Sequence, residues 1–126
     1  MMTTVFLVAL GGAIGSALRY LTGLGVVRMF GVPEIPLAIL TVNVVGSFLM
    51  GIFAVLAAHR GLTPFGPFVM TGLLGGFTTF SAFSLETVVL IERGAFANAL
   101  FYVLLSVCLS VGALFLGLAM ARGGLA

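Results

Sequence analysis

Gly72-Leu73-Leu74-Gly75-Gly76-Phe77-Thr78-Thr79-Phe80-Ser81-Ala82-Phe83-Ser84-Leu85-Glu86 is the stretch whose reading decides the fold. It lies inside a long apolar segment, yet it joins two adjacent glycines, poor helix formers, to a run of hydroxyl residues that compete for backbone groups. The helix is expected to break near Gly75–Thr78. In a bilayer a break is tolerated only where the freed backbone faces protein, an ion or water. Phe77, Phe80 and Phe83 follow at three-residue spacing, so their rings neighbour one another if the helix resumes. Two plainer readings stand beside this one: paired glycines also mark close helix packing, and an aromatic stripe also faces lipid or core. The interleaving of Thr78, Thr79, Ser81 and Ser84 with the rings argues for more than a greasy face.

The rest of the chain agrees with a membrane setting. Of 126 residues, 62% are hydrophobic and 6% charged, with five arginines, three glutamates and no lysine. Such a composition excludes a soluble domain and is too sparse in charge for a nucleic-acid surface. Cys108 is alone, so no intrachain disulfide forms. Residues 1–18 carry no Lys or Arg and no soluble domain follows, which favours a retained helix over a signal peptide.

Hydropathy gives one all-α membrane domain over 1–126, with four spans near 4–27, 36–58, 67–91 and 96–121. Each is long enough for a hydrocarbon core that takes about 20 helical residues to cross. Short connectors hold Gly31 and Pro33, Gly61 and Pro64, and Gly94, the residues expected at turns. Arginines collect on the cytoplasmic side of membrane proteins. Here Arg60 and Arg122 fall on one side and Arg28 and Arg93 on the other, and Arg19 adds at most a weak bias. The expectation is insertion in both orientations and an antiparallel, dual-topology homodimer.

Polar residues recur at helical spacing within the spans. Gly11, Gly12, Gly15 and Ser16 form a small-residue pattern suited to close helix contact. Asn43, Ser47 and Gly51 share one stripe, and Tyr102, Ser106 and Ser110 another. An intramembrane asparagine serves as interhelical glue or as a neutral donor to an anion, and serines either bond back to the helix or line a wet path. Arg19 either snorkels to the membrane edge or pairs with Glu86 across the bundle as a structural charge pair.

Taken together, Gly11 to Tyr20, Thr41 to Ser47 and Gly75 to Ser84 resemble the small bacterial fluoride channels, the Fluc or CrcB family, in order and over essentially the whole chain. The resemblance implies an inverted homodimer in the bacterial cytoplasmic (inner) membrane, carrying two parallel fluoride pores and a structural sodium ion. It assigns the backbone carbonyls of Gly75 and Thr78 to sodium, and the rings of Phe80 and Phe83 to the permeating fluoride. Asn43, Thr79, Ser81, Tyr102, Ser106 and Ser110 are the remaining fluoride-pore residues it implies. Ala38-Ile39-Leu40 stands where the family commonly has Gly-Thr-Leu, and Ala82 where threonine is usual, so two hydroxyls are missing.

The chemistry is consistent with that reading without singling out fluoride. Ring edges are positive and neutral donors are weak enough to release an ion again, so both suit an anion path. Carbonyls at a broken helix suit a monovalent cation, since no carboxylate cluster exists for calcium or magnesium. No enzymatic constellation is present. The alternative is a proton-coupled exporter of the small multidrug resistance type, which needs a titratable carboxylate at mid-membrane. Against it, no acidic residue falls in the first two spans and Glu86 lies near a helix end.

Overall fold

A computed structural model describes residues 1–125. It is all-helical, with α1 (Met2–Phe30), α2 (Leu37–Arg60), α3 (Gly75–Phe77), α4 (Phe80–Glu92) and α5 (Phe96–Met120). A short 3₁₀ turn, Thr63–Phe65, leads into a π-wound segment, Pro67–Leu74, that runs directly into α3, and a second π-wound segment, Ala121–Leu125, follows α5. Among the described residues four stretches are long and apolar enough to cross a membrane: Met2–Phe30, Leu37–Arg60, Thr63–Glu92 and Phe96–Gly124. They overlap the four expected spans, with ends that differ by no more than four residues.

The connectors turn where glycine permits it. Gly31, Gly61 and Gly94 have φ of 75°, 66° and 79°, in the left-handed region that side chains rarely adopt. Gly31 donates to the Val27 carbonyl at 2.8 Å and so closes α1, while Pro33 and Pro36 prevent the helix from continuing. Beyond this turn, Asn98 donates to Glu34 at 2.6 Å and ties the α1–α2 connector to the start of α5.

α2 is the central helix. It packs most closely on α5, and α1 packs on Pro67–Leu74 and α3. Small residues make both approaches. A Cβ on Gly15 would strike the Leu73 carbonyl oxygen, and one on Gly72 would lie 2.8 Å from the Val8 carbonyl. The α2–α5 seam is reciprocal in the same way, Gly51 facing the Leu114 carbonyl and Gly117 the Phe48 carbonyl. The glycine pattern of α1 is therefore a packing surface, the close helix contact that its small-residue spacing suggests.

Few side chains are buried. A small core of Leu40, Leu90, Ala99 and Tyr102 sits between α2, α4 and α5, while Phe6, Phe115, Leu116 and Val111 face outward. An outward apolar surface on a bundle with four spanning helices is that of a multi-pass membrane protein.

Candidate functional site

The third span breaks at Thr78 and Thr79, just past the paired glycines, which stay helical in α3. Both threonines are extended, with φ, ψ of −86°, 160° and −151°, 122°. Asn43 of α2 holds the second of them by both backbone groups. The Thr79 N–H donates to Asn43 Oδ1 at 2.7 Å, and Asn43 Nδ2 donates to the Thr79 carbonyl at 3.0 Å. This pairing imitates a neighbouring strand and satisfies a backbone that has left its helix.

The threonine side chains finish both halves. Thr78 N–H and Oγ1 each donate to the Leu74 carbonyl, at 3.0 and 2.9 Å, closing the first half. Thr79 Oγ1 accepts from the Ala82 N–H at 3.1 Å and is the N-cap of α4. Ser84 bonds back to the Phe80 carbonyl at 3.0 Å. Three of the four hydroxyls interleaved with the rings are thus spent on backbone. Ser81 is exposed, its Oγ 3.4 Å from Thr79 Oγ1.

Because Asn43 takes the Thr79 N–H, the Gly75 carbonyl loses the donor one turn ahead that a continuous helix would supply. The carbonyls that close α3 form the negative end of the first half-helix. No group of three or more His, Cys, Asp or Glu that would hold a metal occurs among the described residues. A donor set of neutral backbone oxygens without a carboxylate suits a monovalent cation better than a divalent one.

Beside the break, α2, α4 and α5 enclose an open groove of about 420 Å³. Six residues expected on the ion path line it: Asn43, Thr79, Phe80, Phe83, Ser106 and Ser110. Ser47, on the Asn43 stripe, lines it as well, as do Met50 and Leu114, which carried no sequence signal beyond their apolar helices. Phe80 is 78% exposed. Its ring centroid lies 5.5 Å from that of Phe83 at 47°, and Phe83 lies 5.2 Å from Tyr102 at 42°. Three rings therefore run in file from the groove into the core.

Tyr102 and Ser81 do not line the groove. Tyr102 is fully buried behind Phe83, and Ser81 lies on an exposed part of α4. The Tyr102 hydroxyl and Ser106 Oγ are buried one turn apart on α5 and face each other, with no well-formed hydrogen bond to any other described residue.

Arg19 and Glu86 are not joined within the chain. The α4 backbone does not pack on α1, although Val26 and Val27 of α1 border the same pocket as Glu86. Arg19 is half-buried with its Nε unpartnered among the described residues. Glu86 instead lines a separate pocket of about 340 Å³, near Glu34 and Arg93 at the end of the bundle.

Comparison with known proteins decides the family. Residues 6–118 match the family model described as CrcB-like protein, Camphor Resistance (CrcB). The chain belongs to the CrcB family. A CrcB relative from Ruegeria sp. is 61% identical over 123 residues, covering 98% of each chain, and is named fluoride-specific ion channel FluC. Relatives of the same name from Roseobacter denitrificans and Cereibacter sphaeroides are 63% and 54% identical, the first covering 97% of this chain and 98% of its own, the second all of both.

Proposed function

We propose that this CrcB protein is a fluoride channel, not an enzyme, and that the groove beside the helix break is half of its ion path. The observation that carries the reading is the meeting of two kinds of anion-compatible surface in one groove: the Phe80 and Phe83 rings, and the neutral donors Asn43, Ser106 and Ser110. An anion leaving water must exchange its hydration for groups that hold it without trapping it. Ring edges and uncharged N–H and O–H donors do so, whereas a fixed charge would bind too tightly for rapid release. Asn43 keeps one amide N–H beyond the one given to Thr79 and can offer it to the ion.

The groove is open along one side, and a second copy of the chain lying antiparallel would close it into a pore. The balanced arginines support insertion in both orientations. The working unit is then a dual-topology homodimer in the bacterial cytoplasmic membrane, with two pores and lipid on its outer face. The Gly75 and Thr78 carbonyls of both copies would hold a structural sodium ion, which would supply a positive charge to offset the carbonyl ends of the broken helices. The residues of the chain do the rest. Asn43 fixes the break, the rings border the path, and the serines replace water. Export is passive, driven by the fluoride gradient.

Purified protein reconstituted into liposomes tests the function. Fluoride release without a proton gradient is expected; release that requires a proton gradient would identify a coupled exporter instead. Labelling of an engineered N-terminal cysteine from each side of the membrane tests the orientation, and labelling from one side only would remove the dual-topology reading.

A further inference from the structure

Thr79 is 9% exposed and makes four hydrogen bonds: two backbone bonds to Asn43 on α2, a side-chain cap on Ala82 inside α4, and a long contact of its hydroxyl with that of Ser81. The residue after it is Phe80, whose ring stands almost free, in ring contact with Phe83 alone among the described residues. α4 has little else to anchor its beginning: its backbone packs on α5 and lightly on α2, and the residues it shares with α1 around a pocket, Glu86, Val89 and Leu90, lie in its second half. The position of the Phe80 ring is therefore inherited from Thr79.

We propose that Thr79 is a positioning residue: clamped by Asn43 and capping α4, it holds the Phe80 and Phe83 rings against the groove and acts on the ion through them. The clamp works in both directions. Thr79 offers one donor and one acceptor, so the Asn43 amide has one orientation, with Oδ1 on the Thr79 N–H and Nδ2 on the Thr79 carbonyl. A flipped amide would set oxygen against oxygen. The remaining Asn43 N–H is thereby fixed in direction. The Thr79 hydroxyl contributes as an acceptor of the Ala82 N–H, a role that any good N-cap residue fulfils.

The test compares Thr79→Val, Thr79→Ser and Thr79→Asn as reconstituted full-length proteins. Val keeps the shape and removes the cap; Ser keeps the hydroxyl; Asn removes the hydroxyl and keeps a capping oxygen. Loss of the cap is expected to slow fluoride release by about tenfold, with Ser and Asn both recovering most of the rate. Recovery by Ser with Asn as slow as Val would make the hydroxyl a donor to the ion and overturn the proposal. Release from Thr79→Val at the wild-type rate would overturn it too. Should the variants fail to assemble, amide exchange of the wild-type protein decides: slow exchange at both Thr79 and Ala82 is expected, and fast exchange at either refutes the clamp and cap. The inference rests on the fluoride reading, and wild-type vesicles separate the two. If they retain fluoride, that reading fails; if they release it and Thr79→Val does as well, only the positioning role fails.

Discussion

Gly46→Ala probes the wall of the break most sharply. A Cβ at Gly46 would land on Thr78 Cγ2, with the Phe77 ring at 3.4 Å as the next obstacle. Thr78 cannot simply turn aside, because its Oγ1 is bonded to the Leu74 carbonyl at 2.9 Å and its backbone N–H to the same oxygen at 3.0 Å. Either the hydroxyl bond breaks, at about 0.5–1.5 kcal/mol, or α2 moves away from α3, at the overpacking cost of about 1–3 kcal/mol. The second route carries Asn43 with α2 and so disturbs the Thr79 backbone it holds at the start of α4. The expected result is a loss of about 1–3 kcal/mol in equilibrium unfolding in detergent, with slower fluoride release. Thr78→Ser removes the methyl group that the new Cβ meets while keeping the hydroxyl. The pair Gly46→Ala with Thr78→Ser should therefore recover most of the loss, a coupling of about 1–2 kcal/mol in a double-mutant cycle. Gly46→Ala as stable as the wild type, or no recovery in the double variant, would refute the placement of Thr78 against α2.

Other consequences follow from the same geometry. Phe80→Ile or Phe83→Ile should slow fluoride release severely while the protein still assembles, as read by efflux and size-exclusion chromatography; unchanged release in both would contradict the assigned path. Asn43→Asp replaces the donor to the Thr79 carbonyl with an oxygen, so it should cost about 1–3 kcal/mol in detergent unfolding and lose release, and a variant that matches the wild type would dismiss the clamp. Arg19→Gln and Glu86→Gln should act independently, combining to within about 0.5 kcal/mol, because the α4 backbone does not pack on α1 and the two side chains form no ion pair. Strong coupling between them would place them in contact.

Much of this fold is legible in the sequence because its signals are local. Four apolar runs bounded by Gly31, Gly61 and Gly94 give the spans, since length, hydropathy and left-handed glycines act within a few residues. The break is legible to within three residues, but its cause is not. Gly75 and Gly76 suggest it, yet they remain helical, and the chain departs at Thr78 and Thr79 because Asn43, 36 residues earlier than Thr79, receives the freed backbone. A tertiary hydrogen bond of that kind leaves no periodicity. The stripe of Tyr102, Ser106 and Ser110 is correct as a stripe, but spacing cannot say that Phe83 covers Tyr102 while Ser110 borders the groove. Nor can it exclude a bond between Arg19 and Glu86. Parallel crossing directions suggest one, and the turn at Thr78–Thr79 carries α4 off α1.

The central claim is that uncharged donors and ring edges pass fluoride through a membrane. A fluoride-selective electrode, following release from loaded vesicles that contain the purified protein, measures it directly. The account predicts prompt release of fluoride, with chloride held back in parallel vesicles. Vesicles containing properly assembled protein that hold fluoride as tightly as protein-free ones would contradict it.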